Sequence, residues 1–137
     1  MPINSRTKGA TFERDVAKIL NEFFESEGID YVCKRNLDQY QSKDLCDINI
    51  PHHAVECKFY KEGDWYQQGW WDQVCKATDG RIPVLIFKYN RKPIRVCVPL
   101  YAINPEWEED NDKVAVMPIE DWLEVLRKNW DLYLIKS

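Results

Sequence analysis

Apolar positions recur along the chain with two different periods, and the changes from one to the other mark out its elements. From about Thr7 to Ser26 the apolar residues Phe12, Val16, Ile19, Leu20 and Phe23 fall at i, i+4, i+7, i+8 and i+11, the stripe of an amphipathic helix. Residues 1–7 read as a flexible arm before it, and Glu27-Gly28 closes it, glycine being a natural C-cap. Tyr31 to Arg35 reads as a first strand and Asn36 to Leu45 as a polar loop. Ile48 and Ile50 alternate with polar neighbours, and Ala54-Val55 leads a second short run, so two strands flank a tight turn at Pro51-His52. Asp64 is the expected N-cap of a helix to about Thr78 that carries Trp65, Tyr66, Trp70 and Trp71, and Asp79-Gly80 stops it. Ile82 to Tyr89 is a near-continuous apolar run, the mark of a strand covered on both faces. It turns at Asn90-Arg91-Lys92-Pro93 and returns as Ile94 to Val98. An acidic loop at 104–113 leads to an edge strand at Val114 to Met117. Pro118 then opens a helix with Ile119, Trp122, Leu123, Val125 and Leu126 on its apolar face. Trp130 to Ile135 reads as a last short strand. This order predicts one α/β (α+β) domain over residues 1–137, with a central mixed sheet flanked by helices.

The hairpin at Pro51-His52 is the informative stretch. A two-residue loop at 51–52, or a four-residue loop at 50–53, pairs 49 with 54, 48 with 55 and 47 with 56. Asp47 and Glu56 then stand opposite one another on one face. Directly opposed side chains have Cβ atoms about 4.5–5.5 Å apart, and like charges there repel unless something cationic lies between them. A divalent metal meets that need. Side chains alternate along a strand, so Lys58 shares the face of Glu56 while Val55 and Cys57 point the other way. Two carboxylates and an ammonium on one patch suit the breaking of a phosphodiester. Hard oxygen ligands favour Mg²⁺, which is held by one or two carboxylates together with water and substrate phosphate. The metal acidifies a bound water and offsets phosphoryl charge, and Lys58 orients that water or stabilises the transition state. The plainer alternative is a surface hairpin with solvated charges and a Glu56–Lys58 salt bridge. A zinc site from Cys46, His52, His53 and Cys57 is disfavoured, because the spacing matches no common zinc pattern and Cys57 faces away from Glu56. His52 and His53 read as turn residues.

A third carboxylate stands out on the first helix. With Phe12 at zero and 100° per residue, Leu20 falls near 80°, Phe24 near 120° and Glu13 near 100°, inside the apolar sector. A carboxylate there calls for a partner. A metal or water role for Glu13 is the favoured reading, and a side chain snorkelling to solvent or to a lysine is the other.

Asp47, an eight-residue gap, then Glu56-Cys57-Lys58 resembles the Asp…Glu-x-Lys core of the PD-(D/E)XK, restriction-endonuclease-like nucleases. Lys8-Gly9-Ala10-Thr11-Phe12-Glu13-Arg14 is similar to the Lys-Gly-x-x-x-Glu-Arg opening of archaeal and phage-type Holliday junction resolvases. Cys46 stands where the superfamily's proline would be, a position that carries no chemistry. The resemblance implies that Asp47 and Glu56 ligate the metal with the Cys57 carbonyl, that Lys58 is the catalytic lysine, and that Glu13 completes the acidic cluster, through a water if not directly. It also implies a glutamine on the following helix that holds the lysine or a water. Gln73, which borders the apolar stripe of that helix, is the candidate, with Gln67 and Gln68 as alternatives. Asp44 rivals Asp47 as ligand, and the hairpin register favours Asp47.

Charge modifies the picture in one respect. The chain has a formal net charge of −4, which disfavours a nucleic-acid partner until its distribution is considered. Residues 1–103 carry 15 Lys and Arg against 14 Asp and Glu, whereas 104–137 carry 4 against 9, so the acidity sits in the last segment. Arg6, Lys8, Arg14, Arg35, Lys43 and Lys61 are the candidate phosphate contacts. An exposed aromatic such as Trp65 offers a surface for base stacking. Cys33, Cys46, Cys57, Cys75 and Cys97 are odd in number and widely spaced, as expected of reduced thiols in a cytoplasmic protein. No apolar run suits a signal peptide or membrane span. The combined expectation is a Mg²⁺-dependent endonuclease, with Mn²⁺ as a substitute cation. Its expected substrate is branched DNA, above all a four-way junction; the alternatives are another nicking or structure-specific endonuclease of the resembled superfamily, or a non-catalytic nucleic-acid-binding or assembly protein with the same fold. A junction needs two symmetric incisions, so a homodimer acting in host-cell cytoplasm is expected, its acidic end away from DNA.

Overall fold

The computed structural model describes residues 5–33 and 47–136, with side chains from residue 9 to residue 133 of those stretches. Its elements are α1 (Ser5–Ser26), β1 (Ile48–Ile50), β2 (His53–Tyr60), α2 (Gln68–Lys76), β3 (Ile82–Tyr89), β4 (Arg95–Pro99), α3 (Leu100–Ile103), β5 (Val114–Pro118) and α4 (Ile119–Lys136). The five strands form one mixed sheet in the order β1-β2-β3-β4-β5. Only β2 and β3 run parallel, and α2 supplies the crossover between them; the other pairs are antiparallel.

The alternation of β3 shows why both faces must be covered. Val84 and Ile86 join a core with Phe12, Val16, Leu20 and Phe24 of α1 and Trp122, Leu126 and Trp130 of α4. Leu85, Phe87 and Tyr89 join Trp70, Trp71 and Val74 of α2 on the opposite face. The continuous apolar run is thus one strand serving two cores. Phe12, Leu20, Phe24 and Trp122 are among the largest fully buried side chains, and each contributes about 1.5–3 kcal/mol of transfer free energy. Glu56 lies on β2, which pairs with β1 on one side and β3 on the other, and Asp47 immediately precedes β1.

Several sequence expectations need correction. Ser5–Thr7, expected in a flexible arm, form the first turn of α1. Tyr31–Cys33 do not form a strand. The Asn21 amide stands in for a neighbouring strand at Cys33, accepting from its N–H at 2.7 Å and donating to its carbonyl at 3.1 Å, so the Cys33 backbone groups are satisfied without a ladder. Asp64 is not an N-cap, because α2 starts only at Gln68; Asp64 instead pairs with Lys92 at 2.9 Å. Pro118 closes β5 rather than opening the helix. The strand expected at Trp130–Ile135 is the last part of α4. Buried Ile119, Trp122, Leu126, Trp130 and Tyr133 continue one stripe at spacings of three and four, so the helical period runs on unbroken. His53 is a fully buried strand residue, leaving His52 in the turn with φ of 68°. Asn36–Leu45, including Arg35 before it and Lys43, Asp44 and Cys46, lies outside the described residues.

Candidate active site

The hairpin pairs Ile48 with Val55, Asn49 with Ala54 and Ile50 with His53, the register that the short turn requires. Asp47, one residue before β1, continues it and stands across from Glu56. Val55 and Cys57 enter the core under α1, so alternation turns Glu56 and Lys58 toward α2. The contacts agree. The Gln73 amide of α2 donates to Glu56 Oε1 at 3.3 Å, and the Cys57 N–H donates to Asp47 Oδ2 at 2.7 Å.

Three carboxylates are withdrawn from water here: Glu13 is 6% exposed, Asp47 5% and Glu56 2%. Glu13 reaches the pair electrostatically from α1, its charge raising the proton affinity of both. Burial first, then the charge of Glu56 and a hydrogen bond to it, push Asp47 up to about 9, against the lowering effect of the Cys57 N–H. Glu56 is also raised, chiefly by burial, while the hydrogen bond from Asp47 and the Lys58 ammonium pull it down. Without a cation the two acids therefore share a proton, carried by Asp47.

The donor set fits a hard divalent cation. Glu56 Oε2 is buried and takes no hydrogen bond from an amide, hydroxyl or ammonium group, so beyond the proton shared with Asp47 a cation is what would offset its charge. Among the described residues no group of three or more His, Cys, Asp and Glu is placed to hold a metal by itself. Asp47 and Glu56 thus form a two-carboxylate platform that leaves further coordination to backbone, water or phosphate, the pattern that suits Mg²⁺. His53 and Cys57, weighed above as zinc ligands, are four residues apart on one strand, about 13 Å, and share no site. His53 Nδ1 donates to the Pro51 carbonyl at 2.8 Å.

Of the remaining candidates, Arg14 is exposed on α1 and Lys61 is exposed just beyond β2. Arg6 and Lys8 lie in the first turns of α1, with side chains outside the described residues, and Arg35 and Lys43 are outside them altogether. One supporting residue escaped the sequence reading. The Arg81 guanidinium donates to Asn49 Oδ1, to the His53 carbonyl at 3.4 Å and to the Thr78 carbonyl at 2.9 Å. It ties the hairpin to the end of α2, and so holds Glu56 against Gln73. Its only sequence signal was a lone arginine between a turn and an apolar strand.

The model of the phage putative PDDEXK endonuclease family matches residues 4–129. The chain belongs to this family. Among solved structures it is similar to the Holliday junction resolvase Hjc of the archaeal hyperthermophile Archaeoglobus fulgidus, at 20% identity over 82% of this chain and 85% of that one, with a TM-score of 0.47. No curated protein matches the chain. Asp47, Glu56 and Lys58 fall within the family match, on the sheet face that α2 covers. Among the described residues no helix is long and apolar enough to cross a membrane.

Proposed function

We propose that this PDDEXK nuclease is a Mg²⁺-dependent endonuclease for branched DNA, acting as a Holliday junction resolvase by paired symmetric nicks, with Mn²⁺ as a substitute cation. The observation that carries the reading is the buried Asp47–Glu56 pair, in which Glu56 Oε2 takes no hydrogen bond from an amide, hydroxyl or ammonium group. A binding module has no need of two carboxylates forced together out of water. Asp47, Glu56 and the Cys57 carbonyl would hold the cation, with Glu13 adding negative potential through a water. The bound cation supplies Lewis-acid polarisation of the phosphoryl group and an acidified water. Gln73 engages Glu56 Oε1, so that Oε2 would be the oxygen offered to a cation. Lys58, on the same face, meets the negative charge that builds on the phosphoryl oxygens or orients the attacking water. Arg6, Lys8, Arg14, Arg35, Lys43 and Lys61 take phosphates. The choice of a junction rests on the Lys8-Gly9…Glu13-Arg14 opening, and two incisions across a two-fold junction call for a homodimer. The setting is recombining DNA in the cytoplasm of a phage host.

The test is gel-resolved cleavage of a labelled four-way junction beside linear duplex, flap and single-stranded DNA, in Mg²⁺ and in EDTA. Paired symmetric nicks, abolished in EDTA and reduced at least about a hundredfold by Glu56→Ala, are expected. Cutting of every substrate would keep the chemistry and remove the junction preference, and binding without cutting would refute the enzyme.

A further inference from the structure

The strand that carries Glu56 and Lys58 presents one more side chain on the same face. β2 pairs with β3 without interruption from His53 to Tyr60, so the alternation that turns Glu56 and Lys58 toward α2 turns Tyr60 there too. Tyr60 lies about 7 Å along the strand from Lys58, and exposed Lys61 follows it. One face of its ring lies on Trp70, with centroids 4.9 Å apart and planes within 11° of parallel. Trp70 is itself buried, at 7% exposure, and contacts Tyr89. Tyr60 is nevertheless 42% exposed. With one face covered by Trp70, that exposure belongs to the far face and the rim. An aromatic ring is thereby held flat on a buried indole, beside the candidate active site and between two lysines.

We propose that Tyr60 stacks an unpaired base next to the phosphodiester addressed by Glu56 and Lys58, so that the substrate is DNA with a nucleotide out of its helical stack at the cut. A base inside a paired duplex has both faces covered by its neighbours and offers none to a side chain, whereas a base at a branch, flap or single strand does. Trp65 is more exposed, at 56%, but the Arg95 guanidinium already sits 5.7 Å from its ring centre and it lies on the loop between β2 and α2, off the strand of the acids. Tyr60 is therefore a binding residue that selects for local unpairing. The inference rests on the nuclease reading and sharpens its substrate.

The experiment uses branched and fully paired DNA carrying 2-aminopurine at successive positions around the cleaved bond, with the full-length protein in EDTA for binding and in Mg²⁺ for cleavage. The wild type should quench the probe at one unpaired position, and Tyr60→Phe should keep that quench. Tyr60→Leu, which still covers Trp70, should lose it and bind the branched DNA roughly 5- to 150-fold more weakly, with paired duplex unaffected. A Tyr60→Leu protein that quenches and binds as the wild type does, or that weakens equally on paired duplex, would overturn the proposal. A wild type that cuts but quenches nowhere overturns the stack and leaves the nuclease. One that quenches but never cuts upholds the stack and overturns the nuclease.

Discussion

Replacing Asp47 with asparagine should stabilise the metal-free protein. Asp47 is raised to about 9 in the folded chain, by burial first and by Glu56 next, against an unfolded value of 3.8. A raised carboxyl binds its proton more tightly when folded. Its effect on stability is therefore nil below about pH 4, and a penalty grows as pH climbs from there toward 9. At pH 7 the penalty reaches at most about 4 kcal/mol, since each pH unit above the unfolded value adds about 1.36 kcal/mol. The asparagine carboxamide removes it without losing geometry, since its oxygen still accepts from the Cys57 N–H and its NH₂ donates to Glu56 as the shared proton did. We expect the variant to be more stable by about 2–4 kcal/mol at pH 7 in EDTA, while being inactive as a nuclease. Urea unfolding of both proteins at pH 5, 6, 7 and 8 measures this directly. The gap should widen by up to about 1.4 kcal/mol per pH unit and narrow when Mg²⁺ is added, because the cation relieves only the wild type. A gap that stays constant with pH, or a variant less stable at pH 7, would refute the account of two buried acids sharing one proton.

Two further outcomes follow from the structure. Burial lowers His53 to about 4, so it folds neutral; its contribution is fully present above about pH 6.5 and is lost as pH falls toward 4, a change of up to about 3 kcal/mol. In the Asp47→Asn background, where the opposing slope of Asp47 is removed, urea unfolding should show that loss, and an NMR titration in which the His53 ring protonates near 6.5 would contradict it. Gly63 has φ of 143°, and a Cβ there would lie 2.4 Å from the Tyr89 ring. Gly63→Ala should cost about 2 kcal/mol or more in thermal or urea unfolding, and a neutral result would mean that the loop is not held as described.

The parts of the chain that were legible are those in which a single periodicity decides the outcome. The stripe of α1, the doubly covered run of β3 and the hairpin register all follow from side-chain alternation, and the register alone placed Asp47 opposite Glu56. The burial of Glu13 followed from its angle on the helix, and Gln73 was singled out because the resemblance implied a glutamine on α2 and this one borders its stripe. The misreadings share a physical cause. Tyr31–Cys33 look like a strand, yet the Asn21 side chain takes the backbone hydrogen bonds that a neighbouring strand would have taken. Asp64 has the composition of a cap, but Lys92 and Arg95 reach it from the turn and strand about thirty residues on. Trp130–Ile135 is apolar enough for either period, and the groove between His53 and α1 decides for the helix, with Trp130 stacked parallel to the His53 ring and 5.5 Å from Phe24. Arg81 and Tyr60 went unremarked in the sequence because their significance lies in what the fold brings to them.

The two-residue turn between β1 and β2 also has an evolutionary consequence. Glu56 lies on β2 and Asp47 just before β1, so their meeting depends on the register of the hairpin, which the number of residues between them sets. One residue gained or lost at Pro51-His52 would shift the pairing by one and rotate Asp47 onto the opposite side of the sheet, among the side chains under α1. The hairpin can accordingly change in sequence more readily than in length, whereas the segment between α3 and β5 sets no register between the two acids.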